Sequence, residues 1–338
     1  MEVDIDPSLP CIQIPVANNG NVDDVCWEHM DIGRYLFFNT AFVLLHDSVL
    51  HPLELLKARQ QHYSGNKMPL NAITNAKLIV RREGIQGLFR GLIPSTIGNV
   101  PGQLIYFGVY EYLKQIMLDF DKQGTERHSW LGSKAAIGFA AGFSADILSL
   151  ITHTPGEVIS VRLMVSTTQL DYRPGCIEAT VPVPTARQVF ADLWRANGFS
   201  GLYRGLGGSI ISHGPASAAY FCTYEGAKDF LHKDRHQPPP VSTYLIAGAM
   251  AGAASVLVSN PLEVAKVRIQ TADLDKKNIG FWSTAFRVIH EEGFSGMAKG
   301  IGPRLVMAVP GSALTFACYE IVKKLSLKSN EDQLFSSI

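Results

Sequence analysis

The chain has 338 residues and balances 30 basic against 30 acidic side chains, so its net charge is zero. Apolar residues make up 46% and charged residues only 18%, below the roughly 25% usual for soluble globular chains. This composition argues against a soluble protein, and the absence of a basic stripe excludes the electrostatic footprint of a nucleic-acid binder.

Residues 1–30 are polar, carry Pro7, Pro10 and Pro15 and lack periodicity, so a flexible tail is predicted. Glu2, Asp4, Asp6, Asp23 and Asp24 make it acidic. Targeting peptides are Arg-rich and acid-poor, so an organelle address is expected to lie within the chain. Six apolar segments follow, each approaching the roughly 20 residues needed to cross a bilayer as a helix. They run over Tyr35–Leu56, Leu92–Leu118, from Trp130 past Met164, Leu206–Leu231, from Tyr244 past Val264, and Ile301–Leu325. Gly, Pro or isolated polar residues interrupt each one. Helices that line a wet cavity read this way, whereas lone lipid-facing helices do not. Gly98 and Gly102, Gly138 and Gly142, and Gly248 and Gly252 are spaced four apart, which puts each pair on one helix face suited to close packing. The five cysteines form no CxxC pair and are expected to be thiols.

An internal repeat dominates the sequence. PLELLKARQQ starts at Pro52, PGEVISVRLM at Pro155 and PLEVAKVRIQ at Pro261, spaced 103 and 106 residues apart. Each copy is followed by a short amphipathic stretch and then by EGIQGLFRG (Glu83 to Gly91), NGFSGLYRG (Asn197 to Gly205) or EGFSGMAKG (Glu292 to Gly300). YEYLK, YEGAK and YEIVK close the even-numbered segments at Tyr110, Tyr224 and Tyr319. The predicted organisation is a tail (1–30), repeats at 31–120, 128–235 and 241–328, and a C-terminal tail (329–338). A proline inside a helix removes a hydrogen bond and kinks it. Three kinks at equivalent heights can draw three helices together at one end. A Glu two residues after Pro and a Lys five after it share one face, and in a membrane such charges need partners on other helices.

These motifs resemble the signature of the mitochondrial carrier family: Pro-x-[Asp/Glu]-x-x-[Lys/Arg]-x-[Lys/Arg], then [Asp/Glu]-Gly, four residues, and aromatic-[Lys/Arg]-Gly. The resemblance spans about residues 30 to 326. It implies an all-α membrane protein in which six transmembrane helices form a three-fold pseudosymmetric barrel with short matrix helices. It also implies a multi-pass location in the mitochondrial inner membrane, a central cavity, and alternating access between two gates. The matrix gate would use Pro52, Pro155 and Pro261, with Glu157 paired to Lys266 and Glu263 to Lys57. Glu54 would lack its partner, because Ser160 stands where a cation is expected. Gln61 and Gln270 would brace this ring, with Met164 in place of the third glutamine. The cytosolic gate would pair Glu111 with Lys228, Glu225 with Lys323 and Glu320 with Lys114, braced by Tyr110, Tyr224 and Tyr319. Helix N-termini after Gly91, Gly205 and Gly300 offer free N–H groups to a phosphate. By resemblance, cardiolipin would bind there with Arg90, Arg204 and Lys299. Asn197 replaces the acid of the second loop motif and Ala298 the aromatic of the third. More finely, WEHMD (Trp27 to Asp31), the uncharged Ser160, MAKGIGPRL and CYEIVKKLSLK resemble the branched-chain amino-acid carrier subfamily.

Selectivity in such carriers is read about midway along the even helices. The matching positions are Gly98 and Asn99 before Pro101, Ser212 and His213 before Pro215, and Met307 and Ala308 before Pro310. None carries a fixed positive charge, which weakens a nucleotide or dicarboxylate substrate, since anions in a narrow cavity need cationic partners. Asp47 and Asp146 occupy equivalent faces of the odd helices and are candidates to hold a substrate ammonium. Asn99, Ser212 and His213 would then bind a carboxylate, and Met307 and Ala308 an apolar side chain. His46, His51, His153 and His213 show no paired metal-ligand spacing, so no metal site is expected. The chain also lacks a P-loop, a nucleophile elbow or another catalytic motif. The expectation is therefore a transporter with no enzymatic activity and no cofactor, monomeric, handling a small amino-acid-like solute. The alternatives are a carrier of S-adenosylmethionine or a nucleotide, and a non-transporting scaffold on the same fold.

Overall fold

A computed structural model of the chain describes residues 32–62, 72–123, 134–166, 184–231, 241–274, 280–308 and 311. All regular structure among these residues is helical. The order is α1 (Ile32–His62), α2 (Ala72–Glu83), a 3₁₀ turn (Ile85–Phe89), α3 (Leu92–Gln123), α4 (Lys134–Val165), α5 (Ala186–Asn197), α6 (Phe199–Leu202), α7 (Leu206–Leu231), α8 (Val241–Thr271), α9 (Phe281–Met297) and α10 over residues 301–308.

The long helices α1, α3, α4 and α8 have 31 or 32 residues, about 45–48 Å at the usual rise. Each contains a proline (Pro52, Pro101, Pro155 and Pro261), as α7 does at Pro215. α3 packs along α4 and α7 along α8, while α1, α4 and α8 touch one another. Among the described residues no helix is long and apolar enough to cross a membrane on hydropathy alone. Polar groups turned inward account for this. Asn39, Asp47 and His51 of α1 are buried, whereas Phe37, Leu44, Leu45 and Val49 of the same helix are exposed. α8 repeats the pattern, with Asn260, Glu263 and Lys266 buried and Ile246, Met250, Leu257 and Val258 exposed. A polar interior beneath an apolar surface is what a lipid-immersed, cavity-lining bundle requires.

Three apolar clusters anchor the proline-bearing ends. Leu55, Leu56 and Ala58 meet Ile79 of α2; Val158 and Leu163 meet Val189 and Leu193 of α5; Val264 and Ala265 meet Ala285 and Val288 of α9. The short helices bury one face at i, i+4 spacing, and α5 starts at a capping box made by Thr185 and Gln188.

The glycine closing each loop motif has a positive φ: Gly91 at 92°, Gly205 at 90° and Gly300 at 79°. Each also lies against the next odd helix. A Cβ at Gly91 would sit 2.8 Å from Ser160 O, and Cβ atoms at Gly205 and Gly300 would sit 2.8 Å from Gln270 Cγ and Gln61 Cγ. The backbone oxygen at Ser160 cannot swing aside, whereas a glutamine side chain can. Gly91→Ala is therefore expected to cost about 2–4 kcal/mol through left-handed strain plus overpacking. Gly300→Ala should cost about half as much. Thermal denaturation of the two purified variants checks this, and equal losses would show that the Ser160 backbone is not what confines Gly91.

Candidate functional site

Between α1, α3, α4, α7 and α8 lies a cavity of about 440 Å³. Asp47 and His213 stand on its polar wall above Glu54, Glu157 and Glu263. Asp47, buried on α1, accepts a 2.7 Å hydrogen bond from Asn99 Nδ2 of α3, with His46 Nδ1 3.5 Å from its other oxygen. Asp146 of α4 accepts a 2.7 Å bond from His213 Nδ1 of α7. Asp47, Asn99 and His213 line the cavity, together with apolar Phe42, Val43, Val161, Met164 and Val267. Asp47 thus faces the cavity while holding Asn99 as a donor, and Asp146 reaches the wall only through its donor His213. A solute cation can displace or join such a donor, because a charge-assisted contact outcompetes a neutral one.

The other five expected substrate positions lie off this wall, Asp146 among them. Gly98 is a contact glycine: a Cβ there would be 2.8 Å from His153 O, and Gly156 of α4 lies against Pro94 O and Gly98. The Ser212 hydroxyl is buried and donates to Ser209 O within α7 at 3.0 Å. Met307 and Ala308 do not line the cavity, and Ala308 Cβ instead faces Gly252 of α8. Sequence reasoning missed Asn39, Gln103 and His153 as wall residues. His153 stands two before Pro155, an offset the repeat motif does not mark, and Asn39 and Gln103 carry no spacing signal either.

Ion pairs form the floor where α1, α4 and α8 meet. Lys57 Nζ lies 2.8 Å from Glu263, Lys266 Nζ lies 2.6 Å from Glu157, and Lys266 is also 3.9 Å from Glu263. Both lysines on the cavity wall are therefore engaged. Among the described residues no lysine or arginine reaches Glu54, whose nearest ionisable contact is His51 Nδ1 at 3.7 Å. Fully buried His51 donates from Nε2 to Arg90 O at 2.9 Å. Ser160 has work of its own: its buried hydroxyl donates to Gly91 O at 2.8 Å and joins α4 to the turn before α3. Gln61 and Gln270 are buried under Gly300 and Gly205. Gln61 Nε2 also reaches Asn260 Oδ1 at 3.4 Å.

Just past this floor, the last cation of each proline motif reaches the neighbouring repeat. Arg59 Nε donates to Met164 O at 2.9 Å, Arg268 Nε to Gln61 O at 3.2 Å, and Arg162 Nη2 to Ala272 O at 2.8 Å. Glu83 holds Arg59 and Arg90 at 3.1 and 2.8 Å, and Glu292 holds Arg268 and Lys299. Arg204 Nη1 donates to Asp273 O at 3.2 Å. At the far end of the bundle Lys228 Nζ lies 5.7 Å from the Tyr224 ring centre, and Tyr110 stacks on Tyr106. The side chains of Glu111, Lys114 and Glu225, and residues Tyr319, Glu320 and Lys323, lie outside the described residues, as does WEHMD.

The family description "mitochondrial carrier protein" matches three stretches, residues 30–121, 132–235 and 237–330. The chain is 32% identical over 298 residues to the mitochondrial substrate carrier family protein E of Dictyostelium discoideum, which covers 86% of this chain and 95% of that one. It is 25% identical to human solute carrier family 25 member 44, covering 91% and 96% respectively. It is 30% identical to the mitochondrial aspartate-glutamate transporter AGC1 of Saccharomyces cerevisiae, covering 82% of this chain and 30% of that protein.

Proposed function

The chain belongs to the mitochondrial carrier protein family, and on that premise we propose that it carries a zwitterionic amino acid, of branched-chain type, across the mitochondrial inner membrane by alternating access. Family membership makes it a solute transporter; the substrate is our assignment. The observation that carries the assignment is the charge of the cavity wall. Asp47 lines the cavity directly and Asp146 stands behind the lining His213, while Lys57 and Lys266 are taken up by glutamates. A substrate ammonium would sit at the acids. Asn99, Gln103 and His213 would hydrogen-bond its carboxylate, and Phe42, Val161 and Met164 would receive its side chain. The resemblance of WEHMD and Ser160 to the branched-chain subfamily supports this, and a relative named as an aspartate-glutamate transporter supports amino-acid transport in general only.

The ion-paired floor acts as the matrix gate in its closed form. The six-helix barrel, the cytosolic gate and a monomeric, multi-pass state complete the reading. Cardiolipin would bind at the N-termini after Gly91, Gly205 and Gly300. The carboxylates also favour a second reading, an adenosyl-sulfonium cation such as S-adenosylmethionine. Reconstituted into liposomes, the protein should take up radiolabelled leucine, and S-adenosylmethionine should compete only if the second reading holds. Uptake of ATP or malate at a rate matching leucine would overturn the assignment, since neither anion has a free fixed cation to meet on the described wall.

A further inference from the structure

The second repeat breaks a pattern that the first and third share. In those two, the arginine seven residues after the helix proline meets a glutamate: Arg59 with Glu83 at 3.1 Å, and Arg268 with Glu292 at 2.7 and 2.9 Å. The second repeat keeps the arginine, Arg162, but has Asn197 where the glutamate stands. Asn197 Nδ2 turns away to donate to Leu274 O at 3.2 Å. Arg162 Nη2 donates to Ala272 O, and its Nε is buried without a hydrogen-bond partner among the described residues. A buried donor left in that condition costs free energy that a bound acceptor would recover.

Arg162 lines a second cavity, of about 290 Å³, together with His62, Ser166, Asp192, Thr271 and Leu274. This cavity lies at the C-terminal ends of α1, α4 and α8, one to two turns past the ion-pair floor. Thr271 Oγ1 donates its hydrogen to Val267 O, so the 2.8 Å contact between His62 Nδ1 and Thr271 Oγ1 is donated by the imidazole.

We propose that this cavity binds a small soluble oxyanion, a carboxylate or inorganic phosphate, which supplies to Arg162 the acceptor that Glu83 and Glu292 supply to their arginines. The guanidinium is the side chain best shaped for either group. Asp192 on the cavity wall and Asp273 at the end of α8 limit how much negative charge the site tolerates. The volume also lies at the bottom of the range of drug-sized pockets. Both points weigh against a nucleoside triphosphate. A bound oxyanion would join the ends of α4, α5 and α8, and so stabilise the arrangement in which the floor is closed. This holds whichever solute the central cavity carries.

The test is thermal denaturation of the full chain, purified in lipid-free detergent and titrated with phosphate at ionic strength held constant with chloride. Wild type should show a saturable rise of several degrees, since a ligand that binds only the folded state raises Tm by mass action. Asn197→Glu restores the carboxylate found in the other two repeats. It should melt above wild type without phosphate and gain nothing from it, and Arg162→Gln should also lose the response. A phosphate shift no larger than that from chloride, or one that persists in Asn197→Glu, would overturn the site. So would a rise produced by added cardiolipin with none from phosphate, which would assign the chemistry to a lipid headgroup instead.

Discussion

Replacing Asp47 or Asp146 by Asn should lower uptake at least tenfold while leaving the melting temperature within a few degrees of wild type. Asn keeps the shape of the side chain and an oxygen to accept from Asn99 or His213, now 2.7 Å from the respective carboxylates. It loses the charge, and only a cationic substrate group feels that loss directly. A hydrogen bond to a charged partner contributes about 1.5–3 kcal/mol, and about 1.4 kcal/mol is a factor of ten in binding. Asp47 is the more buried of the two and should show the larger loss, because its field is less screened. The measurement is initial uptake of radiolabelled leucine into liposomes, read beside a thermal melt. Wild-type uptake by both variants would remove the acids from the substrate site.

The architecture was legible because each structural device recurs at a fixed offset from a proline. The family resemblance implied the pairs Glu157 with Lys266 and Glu263 with Lys57, and both form where α1, α4 and α8 meet. The arginines that bond across repeats are the last cation of the same motif, but the motif does not show which carbonyl each one meets. What escaped was rotation about the even helices. Counting back from Pro101 and Pro215 gives the height of Gly98 and Ser212 but not the direction each faces. Gly98 turned out to press against α4, while its neighbour Asn99 reaches Asp47. Ser160 could be read only as a missing cation, because its bond to Gly91 O depends on a turn that closes 69 residues earlier in the chain. The apolar wall was hidden for a related reason: Val161 and Met164 share a face of α4, but no spacing ties Phe42 of α1 to them.

Lys266→Gln should be the most damaging single change at the floor, and the incomplete ring explains why. Without a cationic partner for Glu54, the described floor rests on two lysines, and Lys266 serves two acids: Glu157 at 2.6 Å and Glu263 at 3.9 Å. It is only 5% exposed. Removing it strands Glu157 without its ion-pair partner, and breaking a buried pair from one side costs about 3–5 kcal/mol. Lys57→Gln is milder, because Glu263 keeps Lys266 as a neighbour. In the proposed mechanism this floor exists only when the matrix gate is closed, so the loss falls on that state alone. It should shift the population toward the matrix-open state on the order of a hundredfold or more. Uptake should collapse in Lys266→Gln, and the protein should melt earlier. Adding Glu157→Gln removes the stranded charge and should restore a large part of both, as pairs in direct contact are non-additive. A double-mutant cycle on uptake rate and melting temperature reads the coupling between them. Strict additivity would mean that Lys266 and Glu157 do not depend on each other in the membrane, and that the floor is not the gate.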